Sequence, residues 1–327
     1  MATFSIIKLK DISPLHIGTG KENYDFAASK LHSDTISAAL AATRATQGNR
    51  DDIDKFLDSF TISSAFPYIG NQYFLPRPIG NLNIEITDCE NHEVRKQLKG
   101  IEYIEHGLWS ELINGRKISI NRNLISNKFI ANDNYLPTPY KSIVTQRVAV
   151  PRNADDAEPF FFNWDFYNQD AGLYFITDAS GNTLEEIISL FTLLGENGIG
   201  TDKNIGGGKF NIEVDSITLP DVSSPNAQML LSLYIPTEDE LDSIELHSSK
   251  YELLLRSGYI SGSEQFDFWH LRKRSIYMFN VGSVIMTNIN LMGKIVDLQP
   301  TNYNDERMHP VYRSGKPFTL PINYTIS

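Results

Sequence analysis

Cysteine is nearly absent from this sequence, since Cys89 is the only one in 327 residues. A single cysteine excludes an internal disulfide framework and any multi-cysteine zinc site, and it fits a reducing cytoplasm, where we expect the protein to act. Long apolar runs are missing too, because nothing approaches the ~18 consecutive apolar residues of a membrane span. Residues 1–4 do not resemble the start of a secretory signal, in which a basic region is followed by an apolar region. We therefore expect no membrane partner and no export.

Positive charge is also in short supply. The 29 Lys and Arg residues against 40 Asp and Glu residues give a formal net charge of −11. A protein that coats nucleic acid through bulk charge should be basic, because phosphate neutralisation supplies most of the non-specific affinity. The composition disfavours that class of protein. It leaves open a narrow groove with matched basic groups, because a net charge does not say where the charges lie.

The residues that are present have an ordinary globular balance, with 41% hydrophobic and 21% charged side chains. The length suggests two domains and is ample for a buried core. A proline-flanked linker at 220–225 divides the chain into residues 1–220 and residues 221–327.

Each half opens with a strand followed by a helix. Residues 3–9 alternate as a strand does, and a helix is predicted to begin at Ser33 or Asp34. In the second half a strand over 229–235 precedes Thr237, which opens a capping box with Glu240. This repeated order predicts an α+β protein with two copies of one small unit, each a sheet with helices on one face.

Three further helices are predicted in the first half. Apolar residues at helical spacing indicate one over 52–60 and another over 93–112. The third helix is predicted from a capping box that runs from Thr183 to Glu186.

Residues 143–177 indicate β structure around a polar tip at 152–156. The chain returns from this tip through an aromatic run at 160–164. A ribbon of this length with so loose a tip is long for a hairpin buried in a domain, so we expect a protruding finger that touches another molecule. Arg147 and Arg152 would lie on it, either as RNA contacts or as solvated charges.

The densest glycine cluster lies at 198–209, directly before a predicted strand. Glycine permits positive φ and close approach to the main chain, so several amides could point at one anion, and Lys203 and Lys209 would add charge. Two nucleotide-binding motifs fail, because Lys203 occupies a position where both require glycine. The loop is therefore either an RNA-backbone cradle or a flexible connector. Its glycines are Gly198, Gly200, Gly206, Gly207 and Gly208.

The densest basic cluster is Arg272-Lys273-Arg274, which follows Phe268-Trp269-His270. Interleaved aromatic and basic residues suit single-stranded RNA, where bases stack and phosphates pair with cations, and a solvated run is the alternative. By contrast, residues 210–249 contain eight acidic residues and no Lys or Arg. That stretch faces either solvent or a basic protein partner.

Signs of catalytic or metal chemistry are few. The seven histidines show no metal-ligand spacing and there is no serine-nucleophile elbow, so we predict no metal and no other cofactor. Only His16, on a glycine-flanked loop, could serve as a general acid or base. A hydrogen-bonded structural histidine, or one that contacts RNA, is the alternative.

Four segments together resemble a known family. They are Leu15-His16-Ile17-Gly18, Ser33-Asp34-Thr35-Ile36, the glycine loop with its following strand, and His309-Pro310-Val311-Tyr312-Arg313-Ser314-Gly315-Lys316-Pro317-Phe318. With these segments in matching order over nearly its whole length, the chain resembles the fourth-subunit family of the type III-A CRISPR effector, the Csm complex, within the RAMP superfamily. The resemblance implies two ferredoxin-like (RRM-like) domains, a glycine-rich loop, and a protruding β-hairpin thumb inserted at about 115–172.

The resemblance also implies a non-catalytic RNA-binding function. Such subunits hold the 5′ repeat-derived tag of the CRISPR RNA, cap one end of a filament of backbone RAMP subunits, and dock the large polymerase-like signature subunit. His16 and Gly18 would line the tag groove beside the first helix, and the hairpin arginines would lie on the thumb. The residues expected to bind RNA are His16, Gly18, Lys21, Ser33, Arg147, Arg152, Lys203, Gly206, Gly207, Gly208, Lys209, Arg272, Lys273, Arg274 and Arg313.

A metal-independent endoribonuclease is the alternative function, since related RAMP proteins cut CRISPR repeat RNA. His16 would then act on a 2′-hydroxyl as a general acid or base, and Lys21 would steady the phosphate. The sequence offers no second acid or base close to His16.

Overall fold

The structure is a computed structural model that describes residues 2–18, 30–88, 96–132, 138–149, 158–260, 266–301, 303 and 305–324. Two of the residues expected to bind RNA, Lys21 and Arg152, lie outside the described residues. No helix within the described part of the chain has both the length and the apolar character that a bilayer crossing needs.

The described residues form a mixture of strands and a few helices, which confirms an α+β fold. The helices are α1 (Ser33–Thr46), α2 (Ile53–Asp58), α3 (His106–Ile113), α4 (Gly181–Asn197) and α5 (Glu238–Ser243). Short 3₁₀ turns span Arg122–Leu124, Lys203–Ile205 and Phe266–Phe268. The strands are β1 (Ala2–Lys10), β2 (Phe66–Ile69), β3 (Gln72–Pro76), β4 (Ile84–Ile86), β5 (Tyr103–Glu105), β6 (Ile118–Ile120), β7 (Ile125–Ser126), β8 (Phe129–Ile130), β9 (Tyr140–Ala149), β10 (Glu158–Tyr167), β11 (Ala171–Thr177), β12 (Asn211–Leu219), β13 (Ala227–Leu230), β14 (Leu253–Arg256), β15 (Ile276–Phe279), β16 (Val284–Ile285), β17 (Ile295–Asp297), β18 (Tyr312–Ser314) and β19 (Thr319–Ile322).

The main sheet contains eight strands in the order β12-β1-β11-β2-β3-β5-β8-β7. The first strand of the chain therefore lies between two strands from the far end of the first half. Its pairing is antiparallel on both sides, with Ile6 opposite Ile176 of β11 and Asp215 of β12. Because strand side chains alternate between faces, this register assigns each residue of β1 to one of two cores.

One face of the sheet is covered by helices. Ile7 and Leu9 of β1 point to this face and pack with Ile36 of α1, Leu57 of α2 and Phe191 of α4. The apolar positions of these helices recur at helical spacing, so each helix buries one stripe against the sheet.

The opposite face packs against the second half of the chain. Ile6 and Ile176 point to this side and share a core with Trp109 of α3, Met229 of β13 and Leu320 of β19. The strands β16, β13 and β19 form a separate three-stranded sheet. Four two-stranded pairs complete the described strands: β9 with β10, β14 with β15, β17 with β18, and β4 with β6.

Two element predictions need correction. The helix expected over 93–112 is interrupted by β5, because residues 103–105 pair with β3 and β8 in the main sheet. The capping box expected at Thr183 is not formed, since α4 begins earlier, at Gly181, after Ser180. The second capping box is confirmed: the Thr237 hydroxyl accepts from the Glu240 amide, and the Glu240 carboxylate accepts from the Thr237 amide.

Candidate RNA-binding surface

Three segments that are far apart in the sequence meet beside the main sheet. Residues 11–18 follow β1, and the glycine loop at 198–209 precedes β12. Because β1 and β12 are antiparallel neighbours, these two loops lie side by side at one end of the strands. The β9–β10 hairpin joins them because the backbones of Leu15 and Asp165 exchange two hydrogen bonds, at 3.0 Å and 2.9 Å. We call this arrangement the three-segment junction.

His16 is buried at the centre of the junction, with 2% of its surface exposed. Its Nδ1 lies 2.7 Å from the backbone carbonyl oxygen of Asn163, and its ring packs on Phe162 with the centroids 4.2 Å apart. These contacts use the imidazole to hold the hairpin against residues 11–18. Because the ring is enclosed, the expectation that His16 lines an open groove is corrected to a positioning role.

The amides of the glycine loop are engaged within the protein. Gly206 and Gly207 donate to the carbonyl oxygens of Lys203 and Asp202, both at 3.1 Å, and Gly208 donates to that of Pro14 at 3.0 Å. These three amides therefore do not point at an external anion. The expected amide cradle at these glycines is corrected, because their donors are already satisfied.

The glycines serve close packing instead. Gly208 has a φ of +66° and Gly200 a φ of +100°, and a Cβ at either position would overlap a carbonyl oxygen, of Ile199 and of His16 respectively. A Cβ on Gly207 would stand 2.9 Å from the Trp164 ring of the hairpin. The loop thus supports the hairpin, and side chains cannot replace hydrogen at these positions without displacement.

The exposed part of the junction carries the two lysines of the glycine loop. Lys203 and Lys209 are exposed, as are Gly18 and Gly206. The acid Asp202 lies beside them, partly buried, and its carboxylate accepts from the Thr201 hydroxyl at 2.9 Å. Among the described residues of the junction, the cationic side chains available to a phosphate are therefore these two lysines.

The β9–β10 hairpin is paired along its length, from Tyr140 opposite Tyr167 to Ala149 opposite Glu158. Arg147 lies opposite Phe160 in this register. The face that includes Val144, Val148 and Phe161 leaves these three side chains about half exposed. The role of the hairpin as a thumb stays a prediction.

The basic cluster of the second half is distinct from the junction. Arg272 lies over the Tyr259 ring at 5.0 Å and donates to its hydroxyl at 3.1 Å, while Arg274 donates to the carbonyl oxygen of Asp297. Lys273 is half-buried, and burial together with the nearby Arg256 charge lowers its pKa. The exposed Arg272 and Arg274 remain candidates for RNA contact.

Ser33 and Arg313 are used in a buried joint between the two halves. The Ser33 hydroxyl accepts from the Leu233 amide at 2.9 Å. The Arg313 guanidinium donates to Asp34, whose carboxylate also accepts from Arg256 Nε at 2.9 Å. Because Ser33 and Arg313 are only 4% and 7% exposed, we assign them to this joint and not to an RNA surface. The guanidinium groups remain charged at neutral pH, since burial lowers the pKa of each only to about 10.

The acidic residues of the 210–249 stretch include both buried and exposed side chains. Glu240 is buried and accepts from the Gly293 amide at 3.1 Å. Glu238, Asp239, Asp242 and Glu245 are exposed. No group of three or more His, Cys, Asp or Glu side chains in the described ranges is arranged to hold a metal ion.

Sequence reasoning missed two polar residues at the base of the hairpin. Asp165 is 7% exposed, and the Tyr140 hydroxyl is buried without a hydrogen-bond partner among the described residues. The signal was weak, because a single aspartate in an aromatic strand and a tyrosine at a strand start are common in sheet proteins. In the fold, the pairing of Leu15 with Asp165 brings them next to the junction.

Comparison with known proteins finds Csm4 proteins among the relatives of this chain. Residues 223–322 match the family model of the CRISPR Csm4 C-terminal domain. The chain is 25% identical over 322 residues to the CRISPR system protein Csm4 of Streptococcus thermophilus, covering 94% of this chain and 95% of that protein. It is 24% identical over 298 residues to the Csm4 protein of Mycobacterium tuberculosis, covering 88% and 89%. The chain is similar to Csm4 proteins over nearly its whole length, and these comparisons support a Csm4 subunit.

Solved structures share the Csm4 fold. The chain matches one in the crystal structure of a Csm3-Csm4 subcomplex of the type III-A CRISPR-Cas interference complex, with a TM-score of 0.65, 18% identity, and 98% and 100% of the two chains covered. It matches another in a Csm1-Csm4 cassette in complex with cA4, with a TM-score of 0.64, 18% identity and 99% of each chain covered. At this identity the likeness shows a common fold over the whole chain.

Proposed function

We propose that this Csm4-family protein is a non-catalytic RNA-binding subunit of a type III-A CRISPR effector, and that it holds the 5′ repeat-derived tag of the CRISPR RNA. One observation carries the proposal. The three-segment junction fixes the residues 11–18, the glycine loop and the hairpin to one another through backbone bonds, and it leaves Lys203 and Lys209 exposed on its rim. Preorganised cations on a rigid rim suit the backbone of a short single strand.

We infer that the main sheet contains a ferredoxin-like unit. The order β12-β1-β11-β2, with α1 following β1 and α4 following β11, is the arrangement of a split βαβ fold. The second half, with its own three-stranded sheet, would be the second such unit. In this arrangement the junction lies where β1 ends and where β11 and β12 begin, so the loop after β1 and the segments before β11 and β12 can approach one ligand.

The non-catalytic part of the proposal rests on the environment of His16. A general acid or base must reach the proton that it transfers, directly or through one water. The buried His16 ring instead contacts Asn163 and Phe162. We therefore assign it to positioning, with RNA cleavage as the outcome that would contradict this.

The partners that we propose are the CRISPR RNA, a large subunit of the Csm1 kind and a backbone subunit of the Csm3 kind. Relatives are described in structures with Csm1 and with Csm3. The surface supports membership in an assembly, because Leu253 and Leu255 of β14 and Tyr277 of β15 are each at least half exposed. Contiguous exposed apolar residues of this kind mark interaction sites in soluble proteins.

The salt dependence of tag binding tests the proposal. We expect the double variant Lys203→Glu and Lys209→Glu to bind a synthetic RNA with the repeat-derived 5′ tag more weakly, and to flatten the slope of log affinity against log salt by about one unit per lost phosphate contact. The matched control is Lys55→Glu with Lys117→Glu, two exposed lysines on α2 and next to β6. An unchanged slope in the first double variant would contradict the proposal.

Two further observations test the rest of it. The purified complex should contain a short RNA with one constant 5′ end. The isolated protein, incubated with repeat RNA, should leave the RNA intact. Cleavage by the wild type that His16→Ala abolishes would favour the endoribonuclease instead.

A further inference from the structure

One surface of the second half exposes a group of large apolar side chains. It consists of residues 237–247, which include α5, and of the segment 286–293, and we call it the α5 surface. Four of its side chains are exposed to solvent: Leu241 at 43%, Leu246 at 39%, Ile289 at 36% and Met292 at 66%. A single exposed apolar residue is ordinary, but a group of them on adjoining segments marks an interaction site.

Hydrogen bonds hold the two segments of the α5 surface against each other. The Glu245 amide donates to the Met286 carbonyl oxygen at 2.9 Å. The buried Glu240 carboxylate accepts from the amides of Met292 and Gly293. The exposed apolar side chains therefore stand on a backbone that is already ordered. A partner does not have to order this backbone on binding, which lowers the entropic cost of association.

The charged side chains of the α5 surface are all acidic. Glu238, Asp239, Asp242 and Glu245 are exposed, and none of them forms an ion pair with a residue that the structure describes. Residues 237–247 and 286–293 contain no Lys or Arg. An apolar surface flanked by unpaired carboxylates favours a partner that brings its own cations, because complementary charges speed the encounter and suppress wrong partners.

Three other occupants fit this surface poorly. RNA carries a negative charge on each phosphate, so these carboxylates would repel it. An anionic membrane surface would be repelled for the same reason. A second copy of this chain, bound through the same surface, would bring like charges together, and the whole chain already has a net charge of −11.

We propose that the α5 surface docks a protein subunit of the effector, through a segment of that subunit in which Lys or Arg residues flank apolar side chains. Met292 is the apolar anchor, because it is the most exposed of the four side chains and a thioether adapts readily to a partner surface. Asp242 and Glu245 attract the cations. The inference rests on the proposed function, since it requires an assembly, but it uses no residue of the three-segment junction.

Association kinetics test the electrostatic part of the inference. The full chain is immobilised, and purified subunits of the Csm1 kind and of the Csm3 kind are each bound to it at low and at high salt. Asp242→Asn with Glu245→Gln removes two charges and nearly keeps the shapes of the side chains. We expect one subunit to associate with this variant about 5-fold more slowly than with the wild type at low salt, and with a flatter salt dependence.

Glu185→Gln with Glu196→Gln is the matched control for charge. It removes the same formal charge from two exposed acids of α4 in the first half. Association rates in this control should stay within about twofold of the wild type at both salt concentrations, because the long-range field of the whole chain is screened by salt.

Met292→Ser tests the apolar part. We expect the same subunit to dissociate roughly 10-fold faster, as the loss of one anchor side chain allows, with an unchanged salt dependence. Val214→Ser is the matched control, because Val214 of β12 is an apolar residue that is 43% exposed. It should leave dissociation unchanged. Both variants should unfold at the wild-type temperature, since substitutions at exposed positions rarely affect stability.

Each outcome decides the matter. Wild-type kinetics of both subunits in the Asp242 and Glu245 variant and in Met292→Ser would overturn the inference, as would equal losses in the matched controls. A dimer of the isolated chain that Met292→Ser abolishes would assign the surface to a second copy, and weaker binding of tag RNA by Met292→Ser would assign it to RNA. Either result would also overturn the inference.

The proposed function is tested separately by the variant at Lys203 and Lys209. Failure of the wild type to bind either subunit would overturn the docking inference, while tag binding that depends on these two lysines would leave the RNA-binding function in place. Failure to bind both the subunits and the tag RNA would overturn both proposals.

Discussion

His32 is enclosed at the start of α1, where its Nδ1 is buried without a partner among the described residues. Burial, reinforced by the positive charges of Arg256 and Lys30, lowers the pKa of His32 from near 6.5 to about 3. The folded protein therefore keeps this ring neutral at pH values where the unfolded chain protonates it. The joint that contains Asp34 lies next to this histidine, so a charge here would add to two buried guanidinium groups.

This histidine predicts acid sensitivity. Between about pH 6.5 and pH 3 the unfolded chain binds a proton that the folded protein excludes, so the free energy of unfolding falls as the pH falls, by ~1.4 kcal/mol per pH unit. Urea unfolding at pH 7 and pH 5 should show a loss about 2 kcal/mol larger in the wild type than in His32→Gln. His247→Gln, at an exposed histidine, should keep the wild-type pH dependence. Equal losses in wild type and His32→Gln would refute this assignment.

Two glycines of the loop at 198–209, Gly206 and Gly208, have different structural roles. Gly206 and Gly208 both have positive φ, at +89° and +66°. A Cβ on Gly206 would meet open space, whereas one on Gly208 would overlap the Ile199 backbone. Gly206 avoids only the energetic cost of a positive φ. Gly208 avoids that cost and also lets its backbone approach the Ile199 backbone closely.

Alanine substitutions separate these two roles. We expect Gly206→Ala to cost about 1 kcal/mol of unfolding free energy, the penalty for a left-handed residue. Gly208→Ala should cost at least about 3 kcal/mol, because the Ile199 carbonyl and the Gly208 bond to Pro14 must shift. Denaturant unfolding of the two variants measures the difference. Equal costs would show that the loop relaxes freely and does not support the junction.

The sequence predicts best those secondary-structure features that depend only on neighbouring residues. The capping box at Thr237 formed because its partners lie three residues apart, and it forms even though the Glu240 carboxylate also accepts from the Met292 and Gly293 amides. The helix predicted over 93–112 is interrupted because residues 103–105 pair with β3 and β8 instead. Hydrophobic spacing alone cannot distinguish these outcomes, since a short apolar run suits a buried strand as well as a helix.

Across the whole molecule, the features that make the site depend on contacts between distant residues. Leu15 meets Asp165, and Asp34 meets Arg313, which is 279 residues further along the chain. The sequence indicated His16 and Arg313 as RNA-binding residues but did not show that both are buried, because the type of a side chain does not report its burial. The burial of the Tyr140 hydroxyl could not be predicted, since it depends on strands whose register the sequence leaves open.

The exposed apolar face of β14 and β15 gives a prediction about assembly. Leu255 and Tyr277 lie opposite each other and are 50% and 62% exposed. Leu255→Glu with Tyr277→Glu should leave the isolated fold intact, because exposed positions rarely affect stability by more than about 0.5 kcal/mol. We expect co-purification with Csm1-kind or Csm3-kind partners to fall at least ~10-fold, because burying a charge without a partner is unfavourable.

Val214→Glu is the matched control, since Val214 is an exposed apolar residue on β12 in the other half. It should leave the yield of the complex unchanged. Full recovery of both partners with the double variant would exclude this face as a docking surface.

The pairing of Asp34 with Arg256 and Arg313 also affects how the protein is made. Asp34 belongs to α1, yet its cations Arg256 and Arg313 lie 222 and 279 residues further along the chain. While translation proceeds, this carboxylate must stay hydrated, because enclosing it unpaired costs several kcal/mol. We therefore expect a protein truncated before Arg256, which lacks both cations, to have α1 only partly docked.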